Sequence, residues 1–415
     1  MPIATACRRP VMVLTLLCVG ACLGHTELVS PPQEPVTSVT LRFQADSEDA
    51  TTAAALGWAN GIPGAQVTVT AGDTTAGPPR LFQSADSGTL FLDQLAGRYT
   101  IDVERWLTDS ERARLPAGDD AVGFVGHTVL LVSNATAQTP VAMIASRRMS
   151  LVVSEWKGDP LFTTAEGTYF GSEYFRIYNN SDTTVYLDGV IFGDGMASQF
   201  DYPNFPCTLY APYALDPRGI WALRFHQVPG AGRDYPLAPG ATAVIATDAI
   251  DHRPLFSEGL DLRHANFEVY EGAGDIDNPA VPNTIRLGWG DPTGHGVIWS
   301  VLGKVVFLSS PTDVSALPTA FVGNVTWVRF PAEALLDVMA IKTNWQAPEP
   351  ECSRLVNPRF DRQHVQLIGA KLEDDLLAYR RIPIPFTIGG RPVLQHTHTS
   401  AWDFTVKPRD PFAVP

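Results

Sequence analysis

The chain has 415 residues, of which 45% are hydrophobic and 18% charged, a balance that excludes a disordered polymer and allows a sizeable core. Its formal charge of −14 argues against nucleic acid as a partner, because displacing the counterions of a phosphate backbone takes clustered Lys and Arg. The acidity reads as a solubility device, with an acidic site for a cationic ligand as the alternative, and carries no information about fold.

Residues 1–21 read as an export leader: Arg8 and Arg9, the apolar run Val11–Leu17, then small residues before Cys22. The run is too short for a permanent span, which wants roughly 18 or more apolar residues. Val19-Gly20-Ala21-Cys22 resembles the cleavage site of bacterial lipoproteins, in which small residues precede a cysteine that takes a thioether-linked diacylglycerol. Cys22 is therefore the expected lipidation site and the membrane the expected contact through that anchor, since two or three acyl chains hold stably where one does not. An ordinary secreted protein with an incidental Cys22 is the alternative. Residues 22–36, with Pro31-Pro32-Gln33-Glu34-Pro35, read as a tether.

From Val39 the chain alternates with period two, in Val39/Leu41/Phe43, Val67/Val69 and Tyr99/Ile101/Val103, between turns of Gly, Pro, Asp and Ser. Thr108-Asp109-Ser110-Glu111 has the spacing of a capping box and predicts a helix of one or two turns at 109–114, closed by Pro116. Strands resume at 128–132 and 141–144, and Arg147-Arg148 marks a boundary. The expectation is an all-β chain of two tandem β-sandwich, immunoglobulin-like domains, 37–148 and 149–415, following the cleaved signal peptide.

Residues 37–148 resemble the transthyretin-like and carboxypeptidase-regulatory-like sandwiches, on the strength of Pro63-Gly64-Ala65-Gln66-Val67-Thr68-Val69, Asp86-Ser87-Gly88 and the stretch from Leu95 to Val103. From Leu151 the pattern changes: Val153-Ser154-Glu155, the run from Tyr174 to Ser181, Val185-Tyr186-Leu187-Asp188-Gly189 and Tyr235-Pro236-Leu237-Ala238-Pro239-Gly240 resemble a lamin-tail domain. The version it resembles is the one carried by an uncharacterised family of bacterial envelope lipoproteins with a domain of unknown function. His264–Tyr270, Asp275–Asn283 and His398–Phe404 extend that likeness over about 151–405. Arg176, where such strands more often carry an acid, and His396-Thr397-His398-Thr399 depart from it. The resemblance implies an outer-membrane lipoprotein, periplasmic or surface-exposed, near an uptake receptor or another envelope protein, and supplies no activity.

Chemistry is sparse. Asp275, Asp277 and Asn278 place hard oxygens close together, as calcium requires, without the glycine and terminal glutamate of an EF-hand; turn formation before Pro279 explains the same residues. His396 and His398, two apart, would share one face of a strand and could share a metal, with His364, Glu373 and Asp374 as further ligands; solvent-exposed strand polarity is the plainer reading. Cys207 and Cys352 could pair in an oxidising compartment or stay separate thiols. Asn179-Asn180-Ser181-Asp182 reads as a turn. No Gly-x-Ser-x-Gly, His-Glu-x-x-His or phosphate-loop spacing occurs, so no enzyme and no resident cofactor beyond calcium are expected. Trp156, Tyr169, Phe170, Phe200, Tyr202, Phe205, Tyr210 and Tyr213 crowd Gly- and Pro-rich segments, as a contact surface or as plugs of the sandwich ends. A non-enzymatic binding or assembly module follows, with capture of a small nutrient, a metal complex or haem, as the alternative; a concave pocket separates the second from the first.

Overall fold

The computed structural model describes residues 36–72, 77–133, 137–158, 161–163, 166–197, 207–272, 275–289, 304–343, 356–367 and 376–413. Strands dominate, as the alternation requires, and the longest helix among the described residues is the eight-residue Cys207–Ala214. No helix among them is long and apolar enough to cross a membrane.

Seven strands form the N-terminal unit, in the order Arg80–Gln83, Gln66–Ala71, Gly97–Trp106, Ala121–Val132, Ala137–Arg147, Val36–Ala45 and Thr89–Leu95. Ala137–Arg147 serves both halves of this sheet. Its residues 137–143 run parallel to Val36–Ala45, while 144–147 pair antiparallel with Ala121–Val132. The two halves thereby close over one core containing Val39, Phe43, Val67, Ile101, Phe124 and Val141. Tyr99, Ile101 and Val103 face it and Arg98 and Asp102 face solvent, because side chains alternate along a strand. The Asp86-Ser87-Gly88 turn backs onto another glycine: a Cβ on Gly88 would stand 2.6 Å from Ile62 N, and one on Gly61 2.4 Å from Ser87 O. Only glycine lets the two backbones approach so closely.

The short helix forms where the capping box placed it, as Asp109–Arg112. The Thr108 hydroxyl accepts from Glu111 N, and the Glu111 carboxylate takes Thr108 N at 2.8 Å and the Arg105 guanidinium at 2.6 Å.

The C-terminal unit packs two larger sheets. One runs Phe267–Glu268, Thr242–Ala246, Tyr174–Asn179, Leu151–Lys157, Leu377–Arg381, Phe404–Pro408. The other runs Thr319–Val322, Val325–Pro331, Gly219–Gln227, Ile191–Gly195, Lys304–Ser309, Leu335–Thr343, Val365–Leu367, with Ile285–Arg286 branching from Gly219–Gln227. Between them lie Val153, Phe175, Ile177, Phe192, Leu308, Met339 and Tyr379. The opposite face of the second sheet buries Ile191, Phe225, Phe307, Phe330 and Phe360, so Lys304–Ser309 is buried along its whole length and its four central residues, 305–308, are all apolar.

Arg147 and Arg148 hold one unit each, Arg147 pairing with Asp49 at 2.8 Å and Arg148 with Asp182. The hairpin Pro383–Ile388/Arg391–Leu394 docks on the first unit: Val122 packs with Ile384 and Val393, and Trp106 meets Phe386 edge-on at 6.2 Å. The core of the first unit draws only on residues 39–145. A fragment of residues 37–148 is therefore expected to unfold cooperatively alone, at a lower midpoint than in the whole chain because Val122 and Trp106 lose their cover. Urea unfolding of the fragment checks this; a non-cooperative transition restored only by residues 149–415 would refute independent folding.

Candidate ligand-binding seam

Ala121–Val132 starts with six consecutive buried residues instead of alternating. Phe124 and Ala145 point into the first core, whereas their neighbours Val125 and Ile144, paired across the strands, belong to the opposite face. Val125 and Ile144 are only 8% and 7% exposed, because the C-terminal unit covers them. Two clefts open beside this covered pair. The wider, about 720 Å³, has Ile144, Met149, Leu335, Leu336 and Phe360 among its apolar walls and Arg147, Arg359, Arg362, Glu48 and His398 among its polar ones. The narrower, about 430 Å³, is lined by Asp102, Glu104, Val125, His127, Gln363, Gln395 and Trp402 with their neighbours. Both volumes fall in the range of small-molecule sites, roughly 300–1,000 Å³.

His396 and His398 differ from the expectation of solvent-facing strand polarity. The strand stops at Leu394, His398 takes a left-handed backbone (φ 53°), and His396 is fully buried. Their rings meet edge-on at 4.5 Å. His396 Nε2 lies 3.0 Å from Asp337 Oδ1, and the His396 backbone is fastened to the first unit by Arg147 N to His396 O, 2.8 Å, and His396 N to Ser146 Oγ, 3.2 Å. Beneath them Arg381 donates to Asp337 Oδ2 (2.6 Å), Val153 O (2.8 Å) and Gln395 O (3.0 Å), and its guanidinium sits 4.4 Å from the Phe404 ring centre. The two histidines thus belong to an ion network under the seam. Among the described residues no three His, Cys, Asp or Glu side chains converge as metal ligands. His364 is half-buried, and Glu373 and Asp374 lie outside the described residues.

Burial pushes the Asp337 carboxyl up, yet Arg381 and His396 hold it below its ordinary value; Asp403, equally buried, stays raised despite Arg381. Asp361 carries the strongest consequence. Burial pushes it up to about 7, against hydrogen bonds from Ser400 and from the backbone of Ala340, while burial and the neighbouring His396 push His398 down to about 3. A raised acid stabilises the fold below its unfolded value near 4 and loses that contribution as pH rises to 7; a depressed imidazole stabilises above 6.5 and loses it as pH falls toward 3. The two slopes oppose each other between pH 4 and 6.5. Asp361→Asn should leave only the second, so that stability climbs across this window by on the order of 3 kcal/mol more than in the wild type. Urea midpoints at pH 4.5 and 6.5 decide it, and equal slopes in the two proteins would sink the assignment.

The remaining candidates are held in turns. Asp275 accepts from Glu271 N (2.7 Å) and Ile276 N (2.9 Å), Asp277 from Asn283 Nδ2 (2.8 Å), and Asn278 donates to Ala249 O (2.6 Å) while accepting from Ala280 N (3.1 Å). These oxygens are engaged by donors from different segments. Asn179 Oδ1 accepts from Ser181 N at 3.0 Å and its amide donates to Thr183 O and Leu237 O, the turn expected there. Cys22 and Cys352 lie outside the described residues, so the Cys207–Cys352 pairing does too; Cys207 opens the helix Cys207–Ala214. Of the aromatic set, Trp156 is core on Leu151–Lys157, Tyr169 stacks on Phe256 at 5.3 Å, and Tyr210 and Tyr213 pack on Trp327 and Trp221. Phe200, Tyr202 and Phe205 lie outside the described residues. Sequence reasoning missed the seam itself, although Ala121-Val122-Gly123-Phe124-Val125, apolar on both faces, was its signal.

Residues 238–316 match the family described as a protein of unknown function, DUF4876. The structure is similar to the crystal structure of a DUF4876 family protein from Bacteroides thetaiotaomicron, with a TM-score of 0.51 and 18% identity over 89% of this chain and 94% of that one. At that identity the likeness speaks to the fold alone. A DUF3823 family protein from Parabacteroides merdae shares 12% identity over 51% of this chain and 98% of its own, with a TM-score of 0.18, too loose to inform fold or function. No curated protein matches the chain.

Proposed function

We propose that this chain is a non-enzymatic binding or assembly module of the bacterial cell envelope, anchored through lipid on Cys22, whose two units frame a ligand seam. The observation that carries the reading, and that favours ligand binding over assembly, is the pair of clefts flanking Val125 and Ile144, each with walls from both units. The neighbouring ionisable groups support binding over catalysis, since Arg381, Asp337 and His396 are engaged with one another. A tether places the module at high effective concentration toward partners in the same membrane. The wide cleft supports a second reading, capture of a small nutrient such as haem or a metal complex for an outer-membrane receptor, because it joins apolar walls to a guanidinium rim.

Cys22→Ala is expected to release a folded protein from the membrane fraction while the wild type sediments with it; mass analysis of the mature N-terminus verifies the acyl chains. A wild type that starts elsewhere without acyl mass would end the anchored reading. A photo-crosslinker replacing exposed Arg359, at the rim of the wide cleft, should capture an envelope component in intact cells that one at exposed Phe321, which lines neither cleft, does not. Haemin titration separates the second reading: a saturable absorbance shift abolished by Ala332→Trp, which fills the wide cleft, supports capture, and no shift removes it.

A further inference from the structure

The narrow cleft carries chemistry of its own, and its geometry points to a neutral glycan as the ligand. This inference rests on the binding reading above and names the ligand class for one of its clefts. On one wall stands the Trp402 indole, partly exposed and fixed through its backbone: Trp402 N donates to Thr399 O at 2.9 Å, and the Gln395 amide donates to Trp402 O at 2.8 Å. Across from it lies the His127 imidazole, 6.3 Å away and tilted by 54°. His127 Nδ1 is held by Asp102 Oδ1 at 2.6 Å; among the described residues no other bond is made to the second imidazole nitrogen or the second carboxylate oxygen of that pair. Glu104 accepts the Trp106 indole N–H at 3.0 Å, and exposed Gln363 adds an amide that both donates and accepts.

A pyranose ring has an apolar C–H face and a rim of hydroxyls that are donors and acceptors at once. The electron-rich indole face suits the first, and a mixture of imidazole, carboxylate and amide groups suits the second. Neither an anion nor an organic cation fits as well. No Lys or Arg is among the lining residues, so an anionic ligand would meet Asp102 and Glu104 without a counter-charge. A quaternary ammonium group is held by a cage of ring faces and an unengaged charge, whereas one indole is present here and each carboxylate has a donor already. The outward face of the sheet continues from the cleft with hydroxyls, Thr68 being paired with Asp102 and Thr100 lying two residues along the same strand. A short oligosaccharide should therefore bind better than a single sugar.

The test uses the full-length protein in detergent, titrated calorimetrically with maltotriose, cellotriose, mannotriose and N,N′,N″-triacetylchitotriose, their monosaccharides, and tetramethylammonium chloride. At least one trisaccharide is expected to bind saturably, tighter than its monosaccharide, with affinity at least tenfold weaker in Trp402→Ala and severalfold weaker in Gln363→Ala. Trp289→Ala, which removes an indole 54% exposed elsewhere, should leave binding unchanged. Because Gln363 is exposed, its variant keeps the test decisive should Trp402→Ala unfold. The glycan assignment is overturned if no sugar binds, if Trp402→Ala and Gln363→Ala bind as the wild type does, or if tetramethylammonium binds in place of sugar. Such a failure with the crosslink from position 359 retained strikes the glycan alone; loss of that crosslink as well strikes the binding reading.

Discussion

Ending the chain after Asn344 is expected to leave the C-terminal unit unfolded. Leu377–Arg381 stands directly beside Leu151–Lys157, with Tyr379 opposite Trp156 and Arg380 opposite Glu155, and Phe404–Pro408 pairs on its far side. Removing both strands uncovers Trp156 and strips Tyr379, Phe404, Val393, Leu394 and Ile384 from buried positions. Five such side chains at about 1.5–3 kcal/mol each approach or exceed the roughly 5–15 kcal/mol that holds a typical domain together. Polar losses add to this: the buried Glu155 carboxylate would lose Arg380, 2.7 Å away, and Arg176 would lose the carbonyls of Asp410 and Ala413. Size-exclusion chromatography and near-ultraviolet circular dichroism read the outcome. A monomeric truncated chain with unchanged tertiary signal would show that residues 345–415 are an appendage.

Arg381→Met should cost about 3–5 kcal/mol, the usual penalty for removing one member of a buried ion pair. Two carboxylates lose this guanidinium at once, Asp337 at 2.6 Å and Asp403 at 3.4 Å, and so do the carbonyls of Val153 and Gln395. The double variant Arg381→Met/Asp337→Asn should recover part of the loss, since the unpaired charge and not the missing methylene packing dominates. Urea denaturation of the four proteins in the cycle measures the coupling. A single-variant loss below about 1 kcal/mol, with no recovery in the double, would mean that solvent reaches this network.

Local chemistry was legible in the sequence wherever it was settled by near neighbours. Tyr99, Ile101 and Val103 announce a half-buried strand because the same three side chains that alternate in the sequence alternate in space. Thr108 and Glu111 predict their helix because a capping box closes within four residues, and Asn179 predicts its turn for the same reason. His396 and His398 were misread because their surroundings come from afar: Asp337 is 59 residues back and Ser146 is 250. Spacing by two says that two side chains share a face only if the strand continues, and here it ends at Leu394. The seam is of the same kind. Val125 betrays double burial, but nothing near it in sequence identifies Gln363, Gln395 and Trp402 as the groups that stand over it.

The neighbour of Leu151–Lys157 at Leu377–Arg381 also sets an order of events. A chain emerging N-terminus first can close its first unit once residue 147 is out, since that core needs nothing later. Leu151–Lys157 must then wait for a partner about 220 residues downstream, on the order of 10–40 s at ordinary rates of synthesis, with Trp156 and Val153 uncovered on one side. A molecule that folded as it was made would therefore pass through a stage in which one end is native and the other is still adhesive. Protection from self-association during that interval, by a chaperone or by keeping the whole chain unfolded until it is complete, is a requirement written into the strand order.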